Sequence, residues 1–287
     1  LINVIAYAML IALTVLIEKK LSTYVAVGFG TLMVLFQYYS LSAQYTLGIF
    51  CVFIAFITII YLLYNNERKR IDYLYLMFIV GIATAYFEWF SIPLITWGLP
   101  VVLILFLERE KNNKCPFFTY FNCVFQCGMG WCLGYGLMIL GKTLVSMMVI
   151  GSDSWQYFAE RLTADSSVVL SSADFLKALL NLLHCIVPFI FIQGYRMQAL
   201  ILLMLLAFCI LVIGIYKKER EFNLILLIVA FAPIVWYSVF KGHVTHVGIE
   251  FRTFMISYFA VWMILKAPYD SLRGKYDKQS KRKKLYN

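Results

Sequence analysis

Near the C-terminal end the chain reads GHVTHVGIEFR, from Gly242 to Arg252. The chain has only three histidines, and two of them, His243 and His246, stand three residues apart in this stretch. Glu250 and Arg252 follow, with apolar sequence on both sides. An i, i+3 pair of histidines can share one helical face. With Glu250 it makes a set that could hold a divalent cation, although the HExxH order is absent and Gly248 weakens a regular helix. Arg252 offers different chemistry. A guanidinium grips a phosphate or pyrophosphate through two parallel hydrogen bonds. Histidines beside it could donate to the same anion or move protons. The competing reading is an ordinary ion pair with Glu250. No metal ligand is assigned, and no cofactor beyond that conceivable divalent cation.

Other costly polar residues lie along the chain. Glu88 stands in AYFEWFSIPLITWGLP (85–100), where it could act as a base or cation ligand facing a cavity, or cap the next helix near Ser91. Pro93 and Pro100 read as breaks. His184 lies in an apolar stretch and Arg196 follows it. Lys142 falls inside a glycine-rich apolar run, from which it could snorkel. Charges inside apolar spans are expensive and are functional suspects.

The elements that must position these residues are membrane helices. The 287 residues are 62% hydrophobic and 14% charged, with mean hydropathy +0.81; soluble domains carry about 25% charged residues. Candidate spans run over 1–17, 21–38, 45–64, 72–88, 92–107, 119–149, 197–216, 222–240 and 253–268. Each approaches the ~20 apolar residues that cross the hydrocarbon. The apolar runs are continuous, not alternating, which excludes a β-barrel. The expected fold class is therefore all-α: a polytopic helical membrane protein of about nine transmembrane helices. Residues 1–268 form one transmembrane helical domain and 269–287 a basic tail.

Charge sets the expected orientation. Clusters at Glu18–Lys20, Asn65–Arg70, Glu108–Lys114 and Lys217–Glu221 should face the cytoplasm, together with the tail. From Lys266 onward the tail carries eight lysines and arginines against Asp270 and Asp277. After a span this reads as a cytoplasmic anchor near anionic membrane lipid, so no nucleic acid is expected as partner. The remaining connections should face outward, carrying Glu88, His184, Arg196, His243, His246, Glu250 and Arg252. Nine spans satisfy this scheme only if 173–193 does not cross. That stretch, within the outer loop 151–196, is expected as an outer-face interfacial or re-entrant helix. The run 119–149 exceeds one bilayer thickness and must tilt, kink or project. Gly130 and Gly134 form a GxxxG motif, expected to pack helices within the chain in preference to dimerising it. The seven cysteines include no CxxC pair and mostly lie in apolar runs, where cysteine acts as a small apolar residue. Because the chain opens at Leu1 inside an apolar run, without an initiator Met or a cleavage site, a preceding segment is expected.

Three stretches together resemble a group of multi-pass bacterial membrane proteins from polysaccharide gene neighbourhoods: YFEWFSIPLITWGLPVVL (86–103), GWCLGYGLMILGKTLV (130–145) and APIVWYSVFKGHVTHVGIEFRTF (232–254). That group is expected to have an aspartate at the Glu88 position and a Thr-Leu-Gly-Leu-Pro run at Thr96–Pro100. It is also expected to have Trp-Tyr, an Asn-His pair, a second His three residues on, and an aromatic-Thr-x-Arg ending. This chain departs at Glu88, at Gly242 and at Glu250 before Phe251. More distantly, the layout is similar to multi-spanning glycosyltransferases of the GT-C type, which use polyprenyl-phosphate sugars and place a catalytic acid in the first outer loop. Here that loop would precede Leu1. The likeness implies a bacterial inner-membrane protein with a cytoplasmic C-terminus, acting at the outer face on a polyprenyl-phosphate-linked sugar in polysaccharide assembly. Glu88 would be the catalytic carboxylate. Arg252, His243, His246, Glu250, Arg196 and His184 would contact phosphate. A carrier or flippase of lipid-linked saccharides, or a non-catalytic assembly partner, is the alternative.

Overall fold

The computed structural model describes residues 2–38, 48–65, 72–87, 92–111, 116–151, 153, 155–156, 208–213, 215, 219–239 and 251–273. These residues are helical and contain no strand. In chain order the elements are α1 (Ile2–Lys20), α2 (Thr23–Leu35), α3 (Gly48–Asn65), α4 (Tyr73–Phe87), α5 (Leu94–Lys111), α6 (Phe117–Ile150), α7 (Arg220–Ala230) and α8 (Ala232–Val239). A 3₁₀ turn over Phe251–Phe254 then leads into α9 (Met255–Ile264). The expected outer-face helix at 173–193, the span at 197–216 apart from a few residues, and the tail beyond 273 lie outside the described residues.

Local chemistry sets the ends. The Ser22 hydroxyl accepts from the Val25 amide at 3.3 Å and starts α2. Asp72 does the same for α4, accepting from Tyr75 at 3.1 Å. Pro116 precedes α6, and Gly151, at φ 103, ends it. The run 222–240 does not form one uniform helix. Its amides at Phe231 and Ile234 reach back three residues, to Ile228 (3.1 Å) and Phe231 (3.0 Å), one turn around Pro233. Proline has no amide to donate there.

Among the described residues, four segments are long and apolar enough to cross a membrane: Ile2–Lys20, Gly48–Asn65, Phe117–Ile150 and Arg220–Val239. Large apolar side chains such as Val4 (68% exposed) and Met148 (84%) cover the outside. Soluble monomers rarely show so continuous an apolar surface. The chain has the surface of a membrane protein.

α5 is the axis of the bundle. Every residue from Leu94 to Leu107 is buried, because neighbouring helices surround it. Pro100 does not break it, contrary to the sequence expectation, and lies inside the helix. A buried helix keeps its path through packing even where proline removes one ladder bond.

α6 is continuous through all five of its glycines. At 1.5 Å per residue its 34 residues extend about 51 Å. A side chain at Gly130 would strike the Leu74 carbonyl, and one at Gly134 the Phe78 carbonyl. Gly81 on α4 answers them, lying against Trp131 and Tyr135. The GxxxG motif thus joins two helices of one chain running in the same direction. Small residues allow this close backbone approach.

The described parts of the charged clusters share one end. Lys20 lies 5.9 Å from the Tyr64 ring, joining the ends of α1 and α3. Tyr24, opening α2, donates to the Trp262 carbonyl at 2.9 Å and packs on Tyr269 at 4.6 Å. Tyr73, opening α4, donates to Glu108 at 2.6 Å. Arg109 pairs with Glu219 at 2.7 Å. Lys266 lies 5.9 Å from the Phe106 ring, at the same end. Arg109 sits just past the span at 92–107. Burial works against its charge, but the hydrogen bond and carboxylate of Glu219 outweigh it and hold the guanidinium above its ordinary value.

Candidate functional site

At the opposite end of the bundle, Arg252 lies in the 3₁₀ turn before α9 and is fully buried. One guanidinium nitrogen, Nη2, donates to the Gln37 carbonyl at 3.3 Å. The guanidinium carbon stands 4.7 Å from the centre of the Phe251 ring. The backbone of Arg252 is held too, because Tyr38 donates its hydroxyl to the Arg252 carbonyl at 3.0 Å. Phe36 stacks on Phe251 at 6.1 Å and meets Tyr258 edge-on at 5.6 Å. Sequence alone pointed to Glu250 or a phosphate as the partner of Arg252. The Gln37 carbonyl is a partner that no local pattern could have indicated, since it comes from 215 residues away.

A guanidinium in this setting has little water to screen it. Its attraction for an anion is correspondingly larger than at an exposed site. It needs a nearby negative charge or dipole to offset the cost of burial, and the Gln37 carbonyl supplies one such dipole.

Lys142 occupies the same end. Its ammonium donates to the carbonyls of Ala85 (2.7 Å) and Tyr86 (2.5 Å), and lies 5.4 Å from the centre of the Tyr86 ring. These carbonyls belong to the last turn of α4, where a cation is favoured by the helix dipole. Lys142 is therefore a cap on a neighbouring helix, where the sequence had allowed a snorkelling side chain. Beyond it α6 continues to Ile150, with Leu144, Val145, Met148, Val149 and Ile150 exposed.

Inside the bundle, toward this end, is a polar knot. Thr96 donates to the Pro93 carbonyl at 2.8 Å. It accepts from the Trp131 indole at 2.9 Å and from the Thr84 hydroxyl at 2.8 Å. Trp131 stacks on Tyr135 at 4.8 Å and meets Trp236 edge-on at 6.2 Å. The knot joins α4, α5, α6 and α8.

Of the residues expected to form a site, the structure describes Arg252. Glu88, His184, Arg196, His243, His246 and Glu250 lie outside the described residues. Phe87, stacked on Phe50 at 4.5 Å, leads directly to Glu88. Phe251 follows directly on Glu250. Among the described residues, no group of three or more His, Cys, Asp and Glu comes together as a metal site.

No family model, no curated protein and no solved structure matches this chain.

Proposed function

We propose that the chain is a bacterial inner-membrane protein that handles a polyprenyl-phosphate-linked sugar at the outer face, in the manner of a glycosyltransferase. In this reading nine spans cross the bilayer, 173–193 lies at the outer face, and the C-terminus is cytoplasmic. The observation that carries it is the location of Arg252. A buried cation stands at the end of the bundle opposite the charged clusters. Phe87 directly precedes Glu88 in the chain, and Phe251 directly follows Glu250. Lysine- and arginine-rich ends lie on the cytoplasmic side, so the Arg252 end is the outer one.

The chemistry follows from the residue types. In an inverting transfer the acceptor oxygen attacks the anomeric carbon, and the bond from that carbon to the phosphate oxygen breaks. The acceptor proton passes to a carboxylate, the role given to Glu88. Negative charge builds on the departing phosphate, where Arg252 and the histidines would stabilise it. Glu250, Arg196 and His184 complete the phosphate surroundings. A divalent cation held by the His243–His246–Glu250 set would serve the same end.

A carrier would favour charges near the bilayer midplane and broken helices in paired halves. The described charged side chains lie toward the bundle ends, which favours chemistry at one face. The test is surface-glycan assembly in cells carrying Glu88→Gln, Arg252→Ala or His243→Ala, with membrane insertion checked by protease protection. Loss of assembly is expected. Normal assembly by all three inserted variants would sink the reading.

A further inference from the structure

α2 ends unusually. Gln37 has φ 53, the left-handed region that side-chain-bearing residues enter at a cost. Glycine is the usual residue there. Its amide donates to the Val34 carbonyl at 3.0 Å, closing the turn. The same turn directs its own carbonyl to Nη2 of Arg252 at 3.3 Å. The next residue, Tyr38, is buried and donates its hydroxyl to the Arg252 carbonyl at 3.0 Å. Two consecutive residues therefore hold one arginine in opposite senses, one by its head and one by its backbone. Phe36 extends the grip by stacking on Phe251.

We propose that Gln37 and Tyr38 are positioning residues for Arg252, fixing the direction in which its guanidinium is presented to a phosphate group. This rests on the lipid-phosphate reading above. A guanidinium recognises phosphate through a planar fork, so its orientation matters as much as its charge. The Tyr38 hydroxyl is committed to a backbone carbonyl, so its role is to hold and not to transfer a proton. A non-glycine residue in a left-handed turn persists where surrounding contacts over-determine it. The reciprocal bonds to Arg252 are such contacts.

The experiment uses the full chain in lipid nanodiscs, with and without decaprenyl phosphate as the probe. Hydrogen exchange is followed at the amides of Phe251–Phe254, and probe binding is measured in parallel. Tyr38→Phe should speed exchange in that turn about fivefold, the scale of one lost hydrogen bond, while α4 and α6 stay unchanged. Binding should weaken by a similar factor. Gln37→Val keeps the carbonyl but disfavours the left-handed turn, which a β-branched residue enters at greater cost, and should act in the same direction. It remains informative should Tyr38→Phe fail to insert. Unchanged exchange at Phe251–Phe254 in the variants would overturn the proposal. Faster exchange, with no probe binding even by the unaltered chain, would overturn the phosphate reading and leave the clasp standing.

Discussion

Gly134 on α6 faces the carbonyl oxygen of Phe78 on α4, with no room between them for a side chain. A methyl group there must push two backbones apart. Gly134→Ala should therefore destabilise the bundle by about 1–3 kcal/mol, as overpacking does. Gly136 has open space around it, so Gly136→Ala should be neutral or slightly stabilising through helix propensity. Thermal unfolding of the detergent-solubilised variants checks the contrast. Equal tolerance at the two positions would mean that α4 and α6 do not meet this closely.

Arg109 and Glu219 form a partly shielded pair, between the regimes of exposed and buried ion pairs. Removing either partner should cost about 1–3 kcal/mol, and a double-mutant cycle should show positive coupling. The sign of any pH effect follows from the raised arginine. A raised cation contributes stability that is fully present below its unfolded pKa and is lost only above it. That threshold lies far above neutral pH, so moderate alkali should leave the arginine's part of the pair intact.

Thr96 serves three partners, and removing its hydroxyl strands the buried Trp131 indole. Thr96→Val keeps the shape but leaves the buried Trp131 indole without its acceptor, while the Thr84 hydroxyl still has the Val80 carbonyl at 2.6 Å. A loss of about 1–3 kcal/mol is expected. Thr96→Ser should recover most of it. Chemical unfolding, together with the Trp fluorescence of the folded state, would read both.

Sidedness can be checked with single cysteines. A cysteine replacing Lys111 or Arg220 should react with an impermeant reagent only from the cytoplasmic side. One replacing Met148, at the far end of α6, should react only from the outside. Reaction of Met148→Cys from the cytoplasm would invert the topology.

The sequence by itself determined the solvent and the helices. Continuous apolar runs bounded by charged clusters can be satisfied only by lipid-solvated helices, and the described clusters do share one end. The closeness of Gly130 and Gly134 to another helix was legible for the same reason, since small residues mark close approach. The tertiary structure decided what periodicity cannot encode. Pro100 could continue inside α5 because the surrounding helices hold α5 in place, and Lys142 became a cap because the end of α4 lies beside it. The partnership of Arg252 with Gln37 and Tyr38 depends on two segments more than 200 residues apart meeting at one end of the bundle. Charge and spacing showed that Arg252 was costly to bury. Only the packing of α2 against the entrance to α9 decided what offsets that cost.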